Sequence, residues 1–173
     1  MQDMLLQIEP LIPALRRYAR SLLRDHPAAD DLVQDCLERA VSNWNQRKDR
    51  NARAWIFTIL HNLAMTRLRR ATARPRHIDL DNAQEEGFAQ APSQEDGLRY
   101  SELLAALDRI PEEQKAVLLL ATVEGLSYAE TAAVLDIPLG TVMSRLSRAR
   151  ERLLKEMDGQ KRVAPVAHLR SVK

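Results

Sequence analysis

Apolar residues in the first third of the chain recur three times at the spacing of one helix face. In "PALRRYARSLL" the i, i+3, i+4, i+7 pattern falls on Leu15, Tyr18, Ala19 and Leu22. Pro27 suits the first turn of a second helix. The apolar stripe of that helix consists of Ala29, Val33, Cys36, Leu37, Ala40 and Trp44. A third helix is predicted over about residues 52–70, with a buried face of Ile56, Ile59, Leu60, Leu63 and Ala64. These patterns predict a three-helix unit around one core.

The helical pattern is lost after Pro75. The segment that follows, "PRHIDLDNAQEEGFAQAPS", has prolines near both ends and an acidic balance. Such a segment buries too little apolar surface to offset the entropy of ordering its backbone. We therefore expect a flexible acidic linker over residues 76–96.

Beyond the linker the helical pattern resumes, and a further helix opens at Pro111. The apolar run "AVLLLA" predicts that this helix is central and buried, and Gly125 is placed to end it. "SYAE" is a capping box formed by Ser127 and Glu130. A short helix to about residue 135, the turn "DIPLG" and a long final helix follow, and Thr141 is the predicted N-cap of the last. This order is the outline of a helix-turn-helix.

The predicted fold is all-α, with two small helical domains and a helix-turn-helix in the second. The chain has 173 residues, 45% of them hydrophobic and only 4% aromatic, which suits one or two small helical cores. We predict an N-terminal domain over 1–75, the linker over 76–96, a C-terminal domain over 97–158 and a basic tail over 159–173.

Charge is sorted along the chain, although the net charge is only +2. Residues 1–75 carry 13 basic and 8 acidic residues, and residues 143–173 carry 9 and 3. Between them, residues 76–142 carry 4 basic and 13 acidic residues. Basic segments separated in this way are an electrostatic footprint for a polyanion such as nucleic acid.

The final helix sorts its side chains by face. One narrow stripe consists of Val142, Leu146, Ala149 and Leu153. One flank carries Arg145, Arg148 and Arg152, while Met143, Ser144 and Ser147 point away from the stripe near the helix start. The second helix of a helix-turn-helix enters the major groove with such residues at the base edges and phosphates. A solvated helix that caps a bundle is the alternative interpretation of the same pattern.

Two strips of the first unit also call for an explanation. On the second helix, opposite its apolar stripe, lie Asp31, Gln34, Asp35 and Glu38. Beside the apolar face of the third helix lie Trp55, Thr58, Asn62, Thr66 and Arg69. From the pattern alone, the first strip is a solvated face, Trp55 is a core or boundary residue and Asn62 is an exposed amide.

The quoted motifs resemble bacterial sigma factors. The segment "GLSYAETAAVLDIPLGTVMSRLSRARERL" is similar to the region that binds the minus-thirty-five promoter element. "DDLVQDCLERA" resembles the segment that binds the clamp helices of core RNA polymerase, and "ARAWIFTILHNLAMTRLRR" the part that melts and reads the minus-ten element. Two domains joined by an acidic linker resemble the layout of the extracytoplasmic function (ECF) group of the sigma-70 family.

This resemblance implies three sets of site residues. Minus-thirty-five DNA is expected at Thr141, Met143, Ser144, Arg145, Ser147, Arg148 and Arg152. Minus-ten DNA is expected at Trp44, Arg47, Lys48, Arg50, Arg53, Trp55, Asn62, Thr66 and Arg69, with Arg67 also holding the single-strand backbone. Core polymerase is expected at Asp31, Gln34, Asp35 and Glu38. Met143 and Ser147 depart from the family, which often has Lys or Arg at the first position and a larger side chain at the second.

The resemblance also implies the partners: core RNA polymerase, promoter DNA in duplex and single-stranded form, and an anti-sigma factor. In this family the linker runs through the product channel of polymerase, where Asp79, Asp81, Glu85 and Glu86 would imitate nucleic acid; a plain spacer is the alternative. The basic tail is expected to attract DNA without specificity.

Other classes of function find little support in the residues. No nucleophile and base pair, metal cluster or phosphate-cradling glycine loop is evident, so no catalytic residue, metal or cofactor is expected. The single cysteine and the lack of a long apolar run favour a cytoplasmic protein with no membrane insertion. Two alternatives are a sigma mimic that binds a regulator of a true sigma factor, and an ordinary helix-turn-helix regulator, which would explain the second unit only.

Overall fold

The computed structural model describes residues 2–47, 51–73 and 94–161, and within these ranges the chain is helical and contains no strand. The predicted all-α class is confirmed. The α-helices are α1 (Gln2–Ile8), α2 (Ile12–Leu23), α3 (His26–Ser42), α4 (Ala52–Ala73), α5 (Gln94–Asp108), α6 (Glu112–Leu118), α7 (Tyr128–Leu135) and α8 (Leu139–Lys161). None of the described helices is both long and apolar enough to cross a membrane.

The first unit packs α2, α3 and α4 around one core, as the periodicity predicts. The predicted face of α2 is buried at all four positions: Leu15, Tyr18, Ala19 and Leu22. Asp25 caps α3, since its side chain accepts a hydrogen bond of 2.9 Å from the backbone N–H of Ala28. The short helix α1 and the fully buried Phe57 of α4 are additions that the sequence analysis did not predict.

The second unit packs α5, α6 and α7 against α8. A π-helical turn, Leu119–Val123, ends α6, and Gly125 follows it with a φ of 66°, as its predicted stop position requires. The predicted capping box of α7 is confirmed, because Ser127 accepts from the N–H of Glu130 and Glu130 accepts from the N–H of Ser127. Asp136 takes the left-handed corner of the helix-turn-helix with a φ of 52°.

The predicted N-cap of the last helix is wrong. α8 begins at Leu139, so Thr141 lies in its first turn. The backbone N–H of Thr141 donates to the carbonyl of Pro138 at 2.9 Å, and that of Val142 donates to the same carbonyl at 3.2 Å. The helical ladder therefore starts at Pro138, whose restricted φ is compatible with a helix start.

The boundaries of the predicted linker and tail differ in part from those of the helices. α4 continues to Ala73, α5 begins at Gln94 within the predicted linker, and α8 continues to Lys161 within the predicted tail. The remainder of both segments, including Asp79, Asp81, Glu85 and Glu86, lies outside the described residues.

The two units share part of their core. The apolar cluster of the first unit includes Leu119, Leu120, Leu126 and Val134 from the second, and α4 packs directly against α7. A separate cluster around Val142 and Leu146 holds α8 on α6. Periodicity assigns a buried face to each helix but does not say which neighbour covers it, so this joint core was not predicted.

Candidate nucleic-acid interface

Helix α8, the second helix of the helix-turn-helix, has the two faces that its sequence predicts. Val142 and Ala149 are fully buried, Leu146 is 2% exposed and Leu153 is half-buried. These side chains pack on Ile110, Val117 and Leu118. The opposite face is therefore free to project from the domain.

Most residues predicted to contact minus-thirty-five DNA lie on this projecting face. Exposed side chains are those of Met143, Ser144, Ser147, Arg148 and Arg152, while Thr141 is half-buried. The hydroxyl of Ser144 donates to the carbonyl of Thr141 at 3.1 Å. The exposed face of α8 thus carries one apolar Met, two short hydroxyl groups and two guanidinium groups.

Arg145 differs from the other two arginines of its flank. Its guanidinium forms an ion pair of 2.7 Å with Glu113 at the start of α6, and its side chain is only 25% exposed. Since the carboxylate already compensates its charge, Arg145 offers less free charge to a phosphate than Arg148 or Arg152 does.

A second feature, on the first unit, is an open pocket between α3 and α4. It has a volume of about 290 Å³ and is lined by Arg39, Asn43, Trp55, Ile59 and Asn62. Asn62 is exposed at its rim and Trp55 is half-buried. The pocket combines two amides, one guanidinium and an indole with an aliphatic floor, which is the chemistry that holds a flat heterocyclic base.

Trp55 and Asn62 were predicted from the sequence for this site, whereas Arg39, Asn43 and Ile59 were not. The amide of Asn43 donates to the carbonyl of Arg39 at 2.8 Å, so the last turn of α3 positions both residues together. The i, i+4 spacing of these residues was a usable signal. What the spacing does not reveal is that this turn lies opposite Asn62 of another helix.

An aromatic cluster adjoins the pocket. The rings of Trp44 and Trp55 meet edge to face with centroids 6.1 Å apart, and the guanidinium of Arg47 lies 3.8 Å above the Trp44 ring. The structure therefore brings together three residues predicted for minus-ten DNA. Arg47 stacks on an aromatic face here, and its Nη1 atom is buried in the cluster.

The other residues predicted for minus-ten DNA are more dispersed. Thr66 donates its hydroxyl to the carbonyl of Asn62 at 2.8 Å, and Arg69 donates to that of Met65 at 3.2 Å; both side chains are exposed. Lys48 and Arg50 lie outside the described residues.

Two of the arginines predicted for minus-ten DNA donate hydrogen bonds to other elements of the chain. Arg67 donates to the carbonyl of Ala28 at 2.8 Å, so it binds α3, and Arg53 donates to the carbonyl of Glu124.

The buried side of α4 contains a polar pair directly behind Asn62. The hydroxyl of Tyr18 and Nδ1 of His61 share a hydrogen bond of 3.0 Å inside the core. Burial lowers the pKa of His61 to about 4, because a charged imidazole would be desolvated there, and raises that of Tyr18. Both groups are therefore neutral at neutral pH and attach α2 to the helix that carries Asn62.

The acidic strip of α3 faces away from this core. Asp31, Gln34, Asp35 and Glu38 are all exposed, and the amide of Gln34 donates to the carboxylate of Glu38 at 3.1 Å. The face is thus an accessible acidic surface.

The geometry defines a helical protein with a helix-turn-helix and a separate open pocket between α3 and α4. Comparison with known proteins gives the family. A model of the sigma2 domain of PhyR matches residues 8–61, and the model of sigma-70 region 4 matches residues 100–153. The chain is 37% identical over 165 residues to the ECF RNA polymerase sigma factor EcfG of Rhodopseudomonas palustris, covering 93% of this chain and 90% of that protein. The chain belongs to the ECF sigma factor family.

Two further proteins are similar over both units. The ECF RNA polymerase sigma-E factor of Escherichia coli is 32% identical over 140 residues, which cover 73% of each chain. The sigma factor RpoE from Bartonella quintana, solved in complex with the anti-sigma factor NepR, is 33% identical, with a TM-score of 0.74 over 91% of this chain and 98% of that one.

Proposed function

We propose that the chain is a promoter-specificity subunit that binds core RNA polymerase in the cytoplasm, directs it to promoters with minus-ten and minus-thirty-five elements and promotes DNA melting. The domain over residues 1–75 would bind polymerase and the minus-ten element, and the domain over 97–158 the minus-thirty-five element. The observation that supports this best is that one chain presents both an exposed recognition helix and a base-sized pocket with amide and indole walls.

Binding to the minus-thirty-five element is proposed for the projecting face of α8. Arg148 and Arg152 are exposed and can hold phosphates or read guanine edges, and the short Ser144 and Ser147 allow a close approach to the groove. Met143, 50% exposed, supplies an apolar contact that a thymine methyl group would fit. Arg145 takes part only after it has left Glu113, which makes it the weakest contributor of this flank.

Melting is proposed to follow from capture of a base in the pocket. Extruding a base from the duplex costs a few kcal/mol. Stacking against Trp55 and hydrogen bonds from Asn43 and Asn62 would stabilise the extruded base, because amides match the edges of bases. A protein that binds the open strand better than the duplex shifts the equilibrium towards the open state and needs no hydrolysis to do so.

Two partners are proposed for the remaining surfaces. The exposed acidic strip of α3 would bind basic residues of the polymerase clamp, with more effect on association rate and register than on affinity. An anti-sigma factor is proposed as a regulator, on the support that the similar RpoE was solved with one bound.

The direct test is reconstitution with core RNA polymerase. Purified protein is added to core enzyme and genomic DNA, and the transcript starts are sequenced. We expect starts at a defined set of sites that share two upstream elements, whereas core enzyme alone should show none of these. Binding to core enzyme with no defined starts would refute the proposal.

A sigma mimic is the second candidate, since the model matched over residues 8–61 is that of the PhyR sigma2 domain. A mimic needs the docking surfaces but not the DNA surfaces. Arg148 and Asn62 are both exposed here, which favours a protein that contacts DNA. The reconstitution separates the two, because a mimic would bind a regulator yet give no transcript.

A further inference from the structure

One arginine on the flank of α8 is held by a carboxylate from another helix. Nη2 of Arg145 lies 2.7 Å from Oε2 of Glu113, in the first turn of α6. Among the described residues, Arg148 and Arg152 of the same flank form no ion pair, and both are exposed. The flank therefore carries two free guanidinium groups and a third whose charge is compensated within the protein.

The packing of α6 on α8 places this carboxylate. Ile110, three residues before Glu113, is buried in the apolar cluster that also contains Val142 and Leu146. Those two residues lie on either side of Arg145 along α8. The start of α6 is thereby fixed beside Arg145, so the ion pair follows from the core of the second unit.

The exposure of the two partners indicates what the pair does. The Glu113 side chain is 72% exposed and that of Arg145 is 25% exposed. Ion pairs open to solvent contribute little to folding stability, because water solvates the separated charges nearly as well. The contact therefore determines mainly where the guanidinium points and how much free charge it offers to another anion.

Arg145 borders the face of α8 that is proposed to bind DNA. Thr141 lies four residues before it and Arg148 three residues after it, a spacing that makes these side chains neighbours on a helix surface. A phosphate held by Arg148 therefore comes close to Arg145 and also to the Glu113 carboxylate. Carboxylate and phosphate compete for one guanidinium, and the two anions repel each other.

We propose that Glu113 is a negative determinant of DNA binding, because its carboxylate withholds Arg145 from the phosphate backbone and so reduces the number of phosphates that α8 neutralises. This inference rests on the proposed function. Phosphate contacts supply the part of protein–DNA affinity that does not depend on sequence. Glu113 lowers this part, and binding then depends more on the base-facing residues Met143, Ser144 and Ser147.

The test removes the carboxylate and the guanidinium separately and together. Glu113→Gln keeps the shape of the side chain and releases Arg145, while Arg145→Gln is made in the wild-type and in the Glu113→Gln background. The matched control is Glu112→Gln, which removes the same charge from the same exposed turn of α6 and leaves the ion pair in place. Thermal unfolding followed by circular dichroism verifies that each variant folds.

Each variant is assembled with core RNA polymerase, and its affinity for a duplex that carries the upstream element found by the reconstitution is measured between about 50 and 200 mM salt. We expect Glu113→Gln to bind about 3- to 10-fold more tightly at the lower salt concentration. Its plot of log affinity against log salt should be steeper by about 0.9, because one more phosphate is neutralised. Glu112→Gln should change the affinity by less than about twofold, since it releases no guanidinium.

The double variant tests whether the gain passes through Arg145. Arg145→Gln should cost the Glu113→Gln protein at least about threefold more affinity than it costs wild type, because the guanidinium is free to contact a phosphate only in the first background.

Two results would overturn the proposal: a Glu113→Gln protein that binds no more tightly than Glu112→Gln, or an Arg145→Gln change that costs the same affinity in both backgrounds. Failure of the proposed function is distinguishable, because the wild-type holoenzyme then initiates at no defined site. In that case the same variants are compared as the full chain on a duplex of arbitrary sequence, where the salt dependence still reports whether Glu113 restrains Arg145.

Discussion

The exposed face of α8 and the pocket between α3 and α4 are built in different ways. The exposed face of α8 belongs to one helix, whose buried stripe of Val142, Leu146 and Ala149 fixes the direction of every other side chain. The pocket needs two helices, since Asn43 and Arg39 come from α3 and Asn62 from α4. A site on a single helix depends mainly on local periodicity, whereas a site between helices also depends on the packing that sets their distance.

The support beneath the two sites differs as well. α8 rests on an apolar cluster that includes Ile110, Val117 and Leu118. Behind the pocket, α4 rests on the hydrogen-bonded pair of Tyr18 and His61, one member of which is titratable. The pocket should therefore be the more sensitive of the two sites to acid.

Acidification is the largest expected effect. Because the pKa of His61 is about 4 in the fold and about 6.5 in the unfolded chain, the unfolded state binds the extra proton between these values. The contribution of the neutral imidazole is fully present above pH 6.5 and is lost as the pH falls to about 4, to a total of about 3 kcal/mol. Urea unfolding as a function of pH measures this, followed by the fluorescence of Trp44 and Trp55, the only tryptophans and both in the first unit.

The control for this prediction is His61→Gln, whose amide can still hydrogen-bond to the Tyr18 hydroxyl but does not titrate. We expect this variant to be less stable at pH 7 and to have a flatter stability profile between pH 6.5 and 4. A profile as steep as that of wild type would show that another group is responsible for the acid sensitivity.

Single substitutions in the two sites should affect different steps of initiation. Arg148→Ala should weaken binding of the minus-thirty-five duplex by about 1 to 3 kcal/mol, because it removes an exposed guanidinium from the groove-facing flank. Asn62→Ala should leave duplex binding near wild type and reduce open-complex formation, because it removes an amide from the pocket. Filter binding measures the first step and permanganate reactivity of unpaired thymines the second.

Arg150→Ala is the matched control for Arg148→Ala. Arg150 is exposed on the same helix but belongs to none of the predicted DNA contacts, so its loss should change duplex binding less. Equal defects of Arg148→Ala and Asn62→Ala in both steps would contradict the division of labour between the sites.

The smallest expected effect concerns the corner of the helix-turn-helix. Asp136 has a φ of 52°, a conformation that costs an L residue more than it costs glycine. Asp136→Gly should raise the free energy of unfolding by up to about 1 kcal/mol, since relief of this strain exceeds the added entropy of the unfolded chain. Thermal unfolding measures the change, and Gly125→Ala, at a φ of 66°, should act in the opposite direction. Destabilisation by Asp136→Gly would indicate that the aspartate side chain itself supports the turn.

Much of the fold could be predicted from the sequence because it depends on local chemistry. The buried face of α2, the capping box of Ser127 and Glu130, and the stop at Gly125 follow from spacing within one or two turns. At Thr141 the local pattern misplaced the helix start, because the hydrogen-bond ladder already begins at Pro138, three positions earlier.

Parts of the candidate site were accessible for the same reason. The exposed face of α8 and the exposure of Asn62 and of the acidic strip of α3 agree with the predicted faces. The internal partners of three arginines were not predictable, since Arg145 pairs with Glu113, Arg67 with Ala28 and Arg53 with Glu124. Each partner lies on another element, so its identity depends on how the elements pack.

The sequence by itself determined the helices other than α1, most of their buried faces, the helix-turn-helix and, through its motifs, the family. Only the tertiary structure decided that Arg39 and Asn43 complete a pocket with Asn62, and that Arg17 meets Glu124 across 107 positions of the chain. Helical periodicity acts over a few residues because it reflects backbone geometry. Contacts between distant residues depend instead on which apolar faces cover one another, and local spacing does not specify this.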